Sequence, residues 1–235
     1  MRTRRLTSAI SIVTLAVVSL ACEGRTTPGF LTTGPTTGAR VRLINALTSS
    51  SSLDLVVDGQ VAVSGVGFGA ASQYVSLQLA THQLQARASS TGTTLIDFAR
   101  DLSTEGAFSL IPAPGLSQFG ALFLIDDPTP VAGQGRVRVV NVAGVPGPIT
   151  VYLTPASGEI TSSTPTLPTL PFGSASDYVQ VAPGSYRVRM ARAGTTTDIV
   201  DLGTLTVAAG TVRTLLVTDA PDGGLPTSLS IISDA

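Results

Sequence analysis

Few side chains in this sequence are of a kind that does chemistry. His82 is the only histidine and Cys22 the only cysteine among 235 residues. A zinc site of the usual His/Cys type cannot be assembled from that pair within one chain. A Ser-His-Asp triad through His82 would need a strained nucleophile turn, and no Gly-x-Ser-x-Gly accompanies it. Arginine is more suggestive. Arg42, Arg87, Arg138 and Arg189 all stand in β-prone segments. On neighbouring strands they would form a cationic face that grips carboxylates, phosphates or anionic polymers. The plainer expectation is that their aliphatic stems cover strand faces while their heads point into water. Asp97 with Asp101, and Asp198 with Asp201, have the oxygens calcium needs, but no Asp-x-Asp-x-Asp loop is present. They are expected to be solvated turn acids. No cofactor or metal is expected, and a non-enzymatic chain is the leading expectation, with a hydrolase as the minor alternative.

Composition narrows the classes further. The net charge is −1, all fourteen basic residues are arginine, and charged residues make up 12% of the chain. A nucleic-acid partner is not expected, because no positive excess exists to neutralise phosphates. Tryptophan is absent, so stacking platforms for sugars or bases are thin. A hydrophobic share of 43% suffices for a core, and the abundance of Val, Thr, Ser, Gly and Pro suits short strands and turns.

The N-terminus reads as an address. Arg2, Arg4 and Arg5 precede an uncharged, mostly apolar run from Leu6 to Ala21, which is short for a transmembrane helix and has the layout of a secretory signal. The rest of a twin-arginine signal is missing. Cys22 follows directly, and Ser19-Leu20-Ala21-Cys22 resembles a bacterial lipobox at Ala21 and Cys22. It departs from that pattern at Ser19, where an aliphatic residue is usual, and at Leu20, where a small one is commoner. Ordinary cleavage after Ala21 is the alternative. Residues 23–39, rich in Gly, Pro and Thr, read as a flexible tether.

Beyond residue 39 the chain repeats itself. "RVRLIN" at 40–45 returns as "RVRVVN" at 136–141, and "FGAASQYV" at 68–75 returns as "FGSASDYV" at 172–179. "STGTT" at 90–94 is answered by "RAGTT" at 192–196, and "LFLIDD" at 122–127 by "LSIISD" at 229–234. The offset grows by eight residues between the first two landmarks, an insertion expected within "TPASGEITSSTPTLPTLP". Its prolines at 165, 168 and 171 favour an extended, stiff segment that blunts a sheet edge. Arg42 then aligns with Arg138, and Arg87 with Arg189. His82 aligns with Gly184, a turn position, and a turn role is expected for it.

Within each copy the segments alternate with period two, as half-buried strands do. In "SYRVRMAR" Tyr186, Val188 and Met190 face one way and Arg187 and Arg189 the other. "LDLVVDGQVAV" predicts a hairpin about Asp58-Gly59. In the "FG-x-AS-x-YV" motif Phe68 and Phe172 are expected to anchor in the core, Gly69 and Gly173 to bend the chain, and Tyr74 and Tyr178 to cap or pack a strand. Seven or eight strands per copy and no helix beyond the signal predict a β-sandwich.

The order "VRLINAL", "LDLVVDG", "FGAASQYV", "YRVRMARAGTT" and a Gly-initiated last strand resembles the bacterial surface repeat called domain-of-unknown-function 4397, over nearly all of residues 40–235. The first copy departs from it by lacking the Pro-Gly turn, the second by lacking the Asp-Gly hairpin. The resemblance implies an immunoglobulin-like or related sandwich in an exported, often lipid-anchored bacterial protein with no established activity. The expected organisation is a signal peptide at 1–21, a lipid-anchor Cys22 and tether at 22–39, a sandwich at 40–127, a linker at 128–134 and a second sandwich at 135–235. The Pro- and Gly-containing linker makes relative motion of the two copies the expectation. The expected function is a cell-envelope lipoprotein serving adhesion, scaffolding or weak binding of an envelope or extracellular ligand, with the membrane as partner through Cys22. A soluble secreted or periplasmic module that binds an anionic polymer or peptide is the alternative.

Overall fold

A computed structural model describes residues 38–113, 115–116, 120–144, 147–155, 166–167, 169–195, 199–220 and 227–234. The signal peptide, Cys22, most of the tether, Asp198 and much of the proline-rich insertion lie outside these residues.

The first copy contains β1 (Ala39–Leu43), β2 (Ser52–Val57), β3 (Gln60–Gly67), β4 (Val75–Leu77), β5 (Ala80–Ala88), β6 (Thr94–Leu102), β7 (Gly106–Pro112) and β8 (Ala121–Asp126). The second contains β9 (Gly135–Val142), β10 (Ile149–Pro155), β11 (Ser174–Ala175), β12 (Val179–Val181), β13 (Gly184–Arg192), β14 (Ile199–Val207), β15 (Val212–Thr218) and β16 (Ser228–Ser233). Among the described residues every regular element is a strand.

Each copy is a sandwich of two sheets. In the first copy an outer sheet of order β3-β2-β5-β6 faces an inner sheet of order β4-β1-β7-β8. In the second the outer sheet is β10-β13-β14 and the inner one β11-β9-β15-β16, with β12 also on β9. The first strand of each copy pairs in parallel with the seventh, β1 with β7 and β9 with β15, and all other pairs are antiparallel. Val41, Leu43, Leu55, Leu84, Phe98 and Leu110 meet in the first core, and Val137, Val139, Val151, Val188, Met190 and Leu215 in the second. The hairpin at Asp58-Gly59 forms as predicted, with φ of 48° and 81° at the two turn residues. In β13 Val188 and Met190 are buried while Arg187 and Arg189 turn away from the core, again as predicted.

The inner sheets differ from the half-buried strands expected. Outer strands alternate, as in β5 and β6, but β7, β9 and β15 are buried along almost their whole length. The reason is a second apolar layer. Ile44, Ala46 and Ile111 of the first copy pack with Val140, Val142, Leu216 and Ile232 of the second. Strands covered on both faces lose period-two alternation. The molecule is therefore four sheets deep, outer-inner-inner-outer. Relative motion of the copies, expected from the linker, is corrected: a shared buried layer joins them.

One expectation about the repeated motif also changes. Phe68 and Phe172 are only half-buried and belong to neither core, where Phe98, Phe108 and Phe123 are the aromatic anchors of the first copy. Gly69 and Gly173 do bend the chain, at φ of 72° and 73°. A Cβ on Gly69 would strike the Ser230 hydroxyl, and one on Gly173 would lie 2.6 Å from Leu116. Each glycine thus admits the other copy.

Candidate functional site

Strand geometry sends alternate residues of β1 to opposite faces. Val41 and Leu43 enter their own core, so Arg42 must point at the second copy. Arg138 of β9 points back in the same way. Both are almost fully buried, with 1% and 2% of their surface exposed. The Arg42 guanidinium donates to Asp234 Oδ1 at 2.6 Å, to the Ser233 carbonyl at 3.0 Å and to Ser109 Oγ at 2.8 Å. Arg138 repeats the pattern with Asp126 Oδ1, the Ile125 carbonyl at 3.2 Å and Thr214 Oγ1 at 2.8 Å. Each arginine binds the carboxylate of the opposite copy, the reciprocity of an isologous contact.

The carboxylates are completed from their own copies. Asp126 Oδ2 accepts from Ser109 at 2.6 Å and from the Tyr74 hydroxyl at 2.7 Å. Asp234 Oδ2 accepts from Thr214 at 2.6 Å and from the Tyr178 hydroxyl at 2.8 Å. Arg42 and Arg138 also stack on Tyr74 and Tyr178, 4.8 and 4.7 Å from the ring centres. Burial pulls the Arg42 proton affinity down, but the charges of Asp234 and Asp126 outweigh it and hold the guanidinium above its ordinary value. Burial raises both tyrosines above the ordinary phenol range, despite the neighbouring guanidinium groups, so both act as donors. Every buried charge here is paired and hydrogen-bonded, as burial demands.

Of the four arginines singled out, Arg42 and Arg138 hold the seam between the copies. Arg87 lies on β5 and Arg189 on β13, in the outer sheets, so the four do not form one face. Arg87 instead donates to Gln85 of its own strand. Arg189 stands opposite Tyr152 and Asp201 on the flanking strands. The acids are exposed as expected, but they sit within β6 and β14 rather than in turns: Asp97 accepts from Gln83 and Gln85, Asp101 caps Ser103, and Asp201 pairs with Arg187. His82 is corrected. It sits within β5 rather than a turn, 3% exposed, with Nδ1 2.7 Å from Asp58 Oδ2 and Nε2 2.9 Å from the Gln78 carbonyl. Burial works against the charge of Asp58, but hydrogen bonds from His82 and the Gln83 amide hold its carboxyl below the ordinary value.

Sequence reasoning missed the partners. Asp126 and Asp234 lie in the "LFLIDD" and "LSIISD" landmarks, and Tyr74 and Tyr178 lie in the repeated motif, so the recurrence itself was the signal. Asn45 and Asn141, which close the "VRLIN" and "VRVVN" landmarks, were likewise unread. Each is buried, and its side-chain amide donates to two backbone carbonyls while its oxygen accepts from the amide two residues on.

Beside the seam a recess of about 620 Å³ opens between the copies, lined by Arg40, Arg42, Gly69 to Tyr74, Pro128 and Ile231 to Asp234. Arg40 is half-buried, with its guanidinium 5.4 Å from the centre of the Tyr74 ring.

The profile of a domain of unknown function, DUF4397, matches residues 39–152 and again 144–233, two matches in the order of the two sandwiches. The chain belongs to the DUF4397 family. No curated protein matches it. Among solved structures it is similar to CBMbc, a family 26 carbohydrate-binding module of Eubacterium rectale Amy13K solved with maltoheptaose, at 13% identity and a TM-score of 0.27, covering 83% of this chain and 97% of that one. A likeness that slight bears on neither the topology nor the ligand of these DUF4397 repeats.

Proposed function

We propose that this DUF4397 protein is a non-enzymatic lipoprotein of the bacterial cell envelope, a single β body on a tether, serving adhesion, scaffolding or weak ligand binding. The observation that carries this reading is the seam. The buried charges and tyrosines between the copies are all spent on fixing one sandwich against the other, which is what a body presenting a defined surface requires. The setting of His82 supports the non-enzymatic part, since both ring nitrogens face acceptors of the fold and neither is turned to a reacting group. Attachment rests on Cys22 directly after the apolar run and on the Gly-, Pro- and Thr-rich stretch behind it.

The test is the intact mass of the mature chain recovered from a bacterial host, with Cys22→Ala beside it. The reading expects a chain that starts at Cys22, carries added diacylglycerol and fractionates with membranes, and a variant that does not. An unmodified chain in the soluble fraction would overturn the attachment and favour a diffusible binding module.

A further inference from the structure

The duplication carries a comparison within one molecule. Arg136 of the second copy stacks over Tyr178, 4.9 Å from the ring centre, as Arg40 of the first stacks over Tyr74. Arg136 is occupied. The segment after β8 lies against it, and the Arg136 guanidinium donates to Asp127 Oδ2 at 2.6 Å, the Asp127 carbonyl at 3.1 Å and the Thr129 carbonyl at 2.8 Å. Hydrogen bonds from Arg136 and Thr129 hold the Asp127 carboxyl well below the usual range. An arginine on a tyrosine face thus grips an aspartate and the carbonyls of the chain around it.

Arg40 has the same platform, and among the described residues no carboxylate pairs with it. The nearby acids are committed elsewhere: Asp126 and Asp234 to the seam, Asp127 to Arg136. Glu105 lines a second, smaller recess that Arg40 also borders, and among the described residues no ion pair joins the two. Around Arg40 the larger recess offers the Gln73 side chain and an apolar wall at Ile231 and Ile232. A guanidinium fork with its face on an aromatic ring favours planar carboxylate over a diffuse anion.

We infer that the recess at Arg40 is a binding site for an acidic peptide, held as residues 127–129 are held at Arg136. The inference rests on the reading of this protein as a binding module and names the chemistry of its ligand. It is independent of the lipid, so a soluble chain that binds the peptide would overturn only the attachment.

The probe is a fluorophore-labelled acetyl-Asp-Asp-Pro-Thr-Pro amide, the sequence of residues 126–130, titrated into the full mature chain by anisotropy. Saturable binding is expected, weakened about tenfold or more in Arg40→Gln, as loss of a charge-assisted bond implies. Arg100→Gln, which alters an arginine elsewhere, is expected to bind normally. A probe with Asn in place of both Asp residues should bind the unaltered chain about tenfold more weakly or worse, a readout that stands even if Arg40→Gln misfolds. Absence of binding, or binding indifferent both to Arg40 and to the Asp residues, would overturn the inference. So would a polyuronate oligosaccharide that binds through Arg40 while the peptide does not, since the ligand would then be an acidic polymer of another kind.

Discussion

Replacing Arg42 with methionine keeps a long, flexible side chain but deletes the charge that Asp234 binds across the seam. Asp234 keeps its bonds from Thr214 and Tyr178 but loses the only guanidinium in contact with its Oδ1 among the described residues. Removing one member of such a buried pair costs about 3–5 kcal/mol, chiefly because the other charge stays buried. Asp234→Asn is milder. Thr214 and Tyr178 can still donate to the amide oxygen, and Asp126 remains 3.5 Å from Arg42, so about 1–3 kcal/mol is expected. In the double variant the stranded charge is gone, and the cost should fall short of the sum by about 1–3 kcal/mol. Urea unfolding followed by far-ultraviolet circular dichroism measures all four corners of the cycle. The residues are 192 positions apart in sequence and lie in different copies, so coupling of that size requires the seam. Costs that add within about 0.5 kcal/mol would refute the reasoning.

Tyr74→Phe and Tyr178→Phe each remove a hydroxyl from a buried carboxylate and should cost about 1–3 kcal/mol by urea unfolding. Gly173→Ala forces a positive φ and a collision with Leu116, whereas Gly92→Ala meets open space at φ of 69°. The first should be the more destabilising, with the second limited to about 1–2 kcal/mol of backbone strain, as thermal unfolding of the pair would report. The carboxyl of Asp58 is held below its unfolded value, so its contribution is complete above the unfolded carboxylate range and is lost as pH falls through the folded one. Acid titration of stability should therefore show a shallower loss in Asp58→Asn than in the unaltered chain.

Much of the architecture was legible because duplication supplied its own internal comparison. The Asp58-Gly59 hairpin, the faces of β13 and the sandwich class follow from local pattern and turn chemistry alone. The seam does not. Its evidence in sequence was the failure of alternation in "RVRVVNV" and "RTLLVTD", where apolar residues stand side by side. A buried arginine and a surface arginine look alike in such a strand, since what separates them is a carboxylate 192 residues away. His82 misled for a related reason. Its alignment with Gly184 suggested a turn, but the Asp58 that fixes it belongs to a hairpin the second copy lacks in sequence. The repeated Phe drew attention as an anchor, yet the residues of that motif that hold the fold are its glycine, serine and tyrosine. Ser72 and Ser176 bond the amides of Leu43 and Val139.

The central claim, that two DUF4397 sandwiches form one body through exchanged charges, is tested most directly by native-state hydrogen exchange on the unaltered chain and on Arg138→Met. That substitution lies in the second copy, but its carboxylate partner, Asp126, lies in the first. The account predicts that strand amides of β5 in the first copy and β13 in the second lose protection together, since a single cooperative unit opens as a whole. Protection of β5 left unchanged while β13 weakens would contradict it.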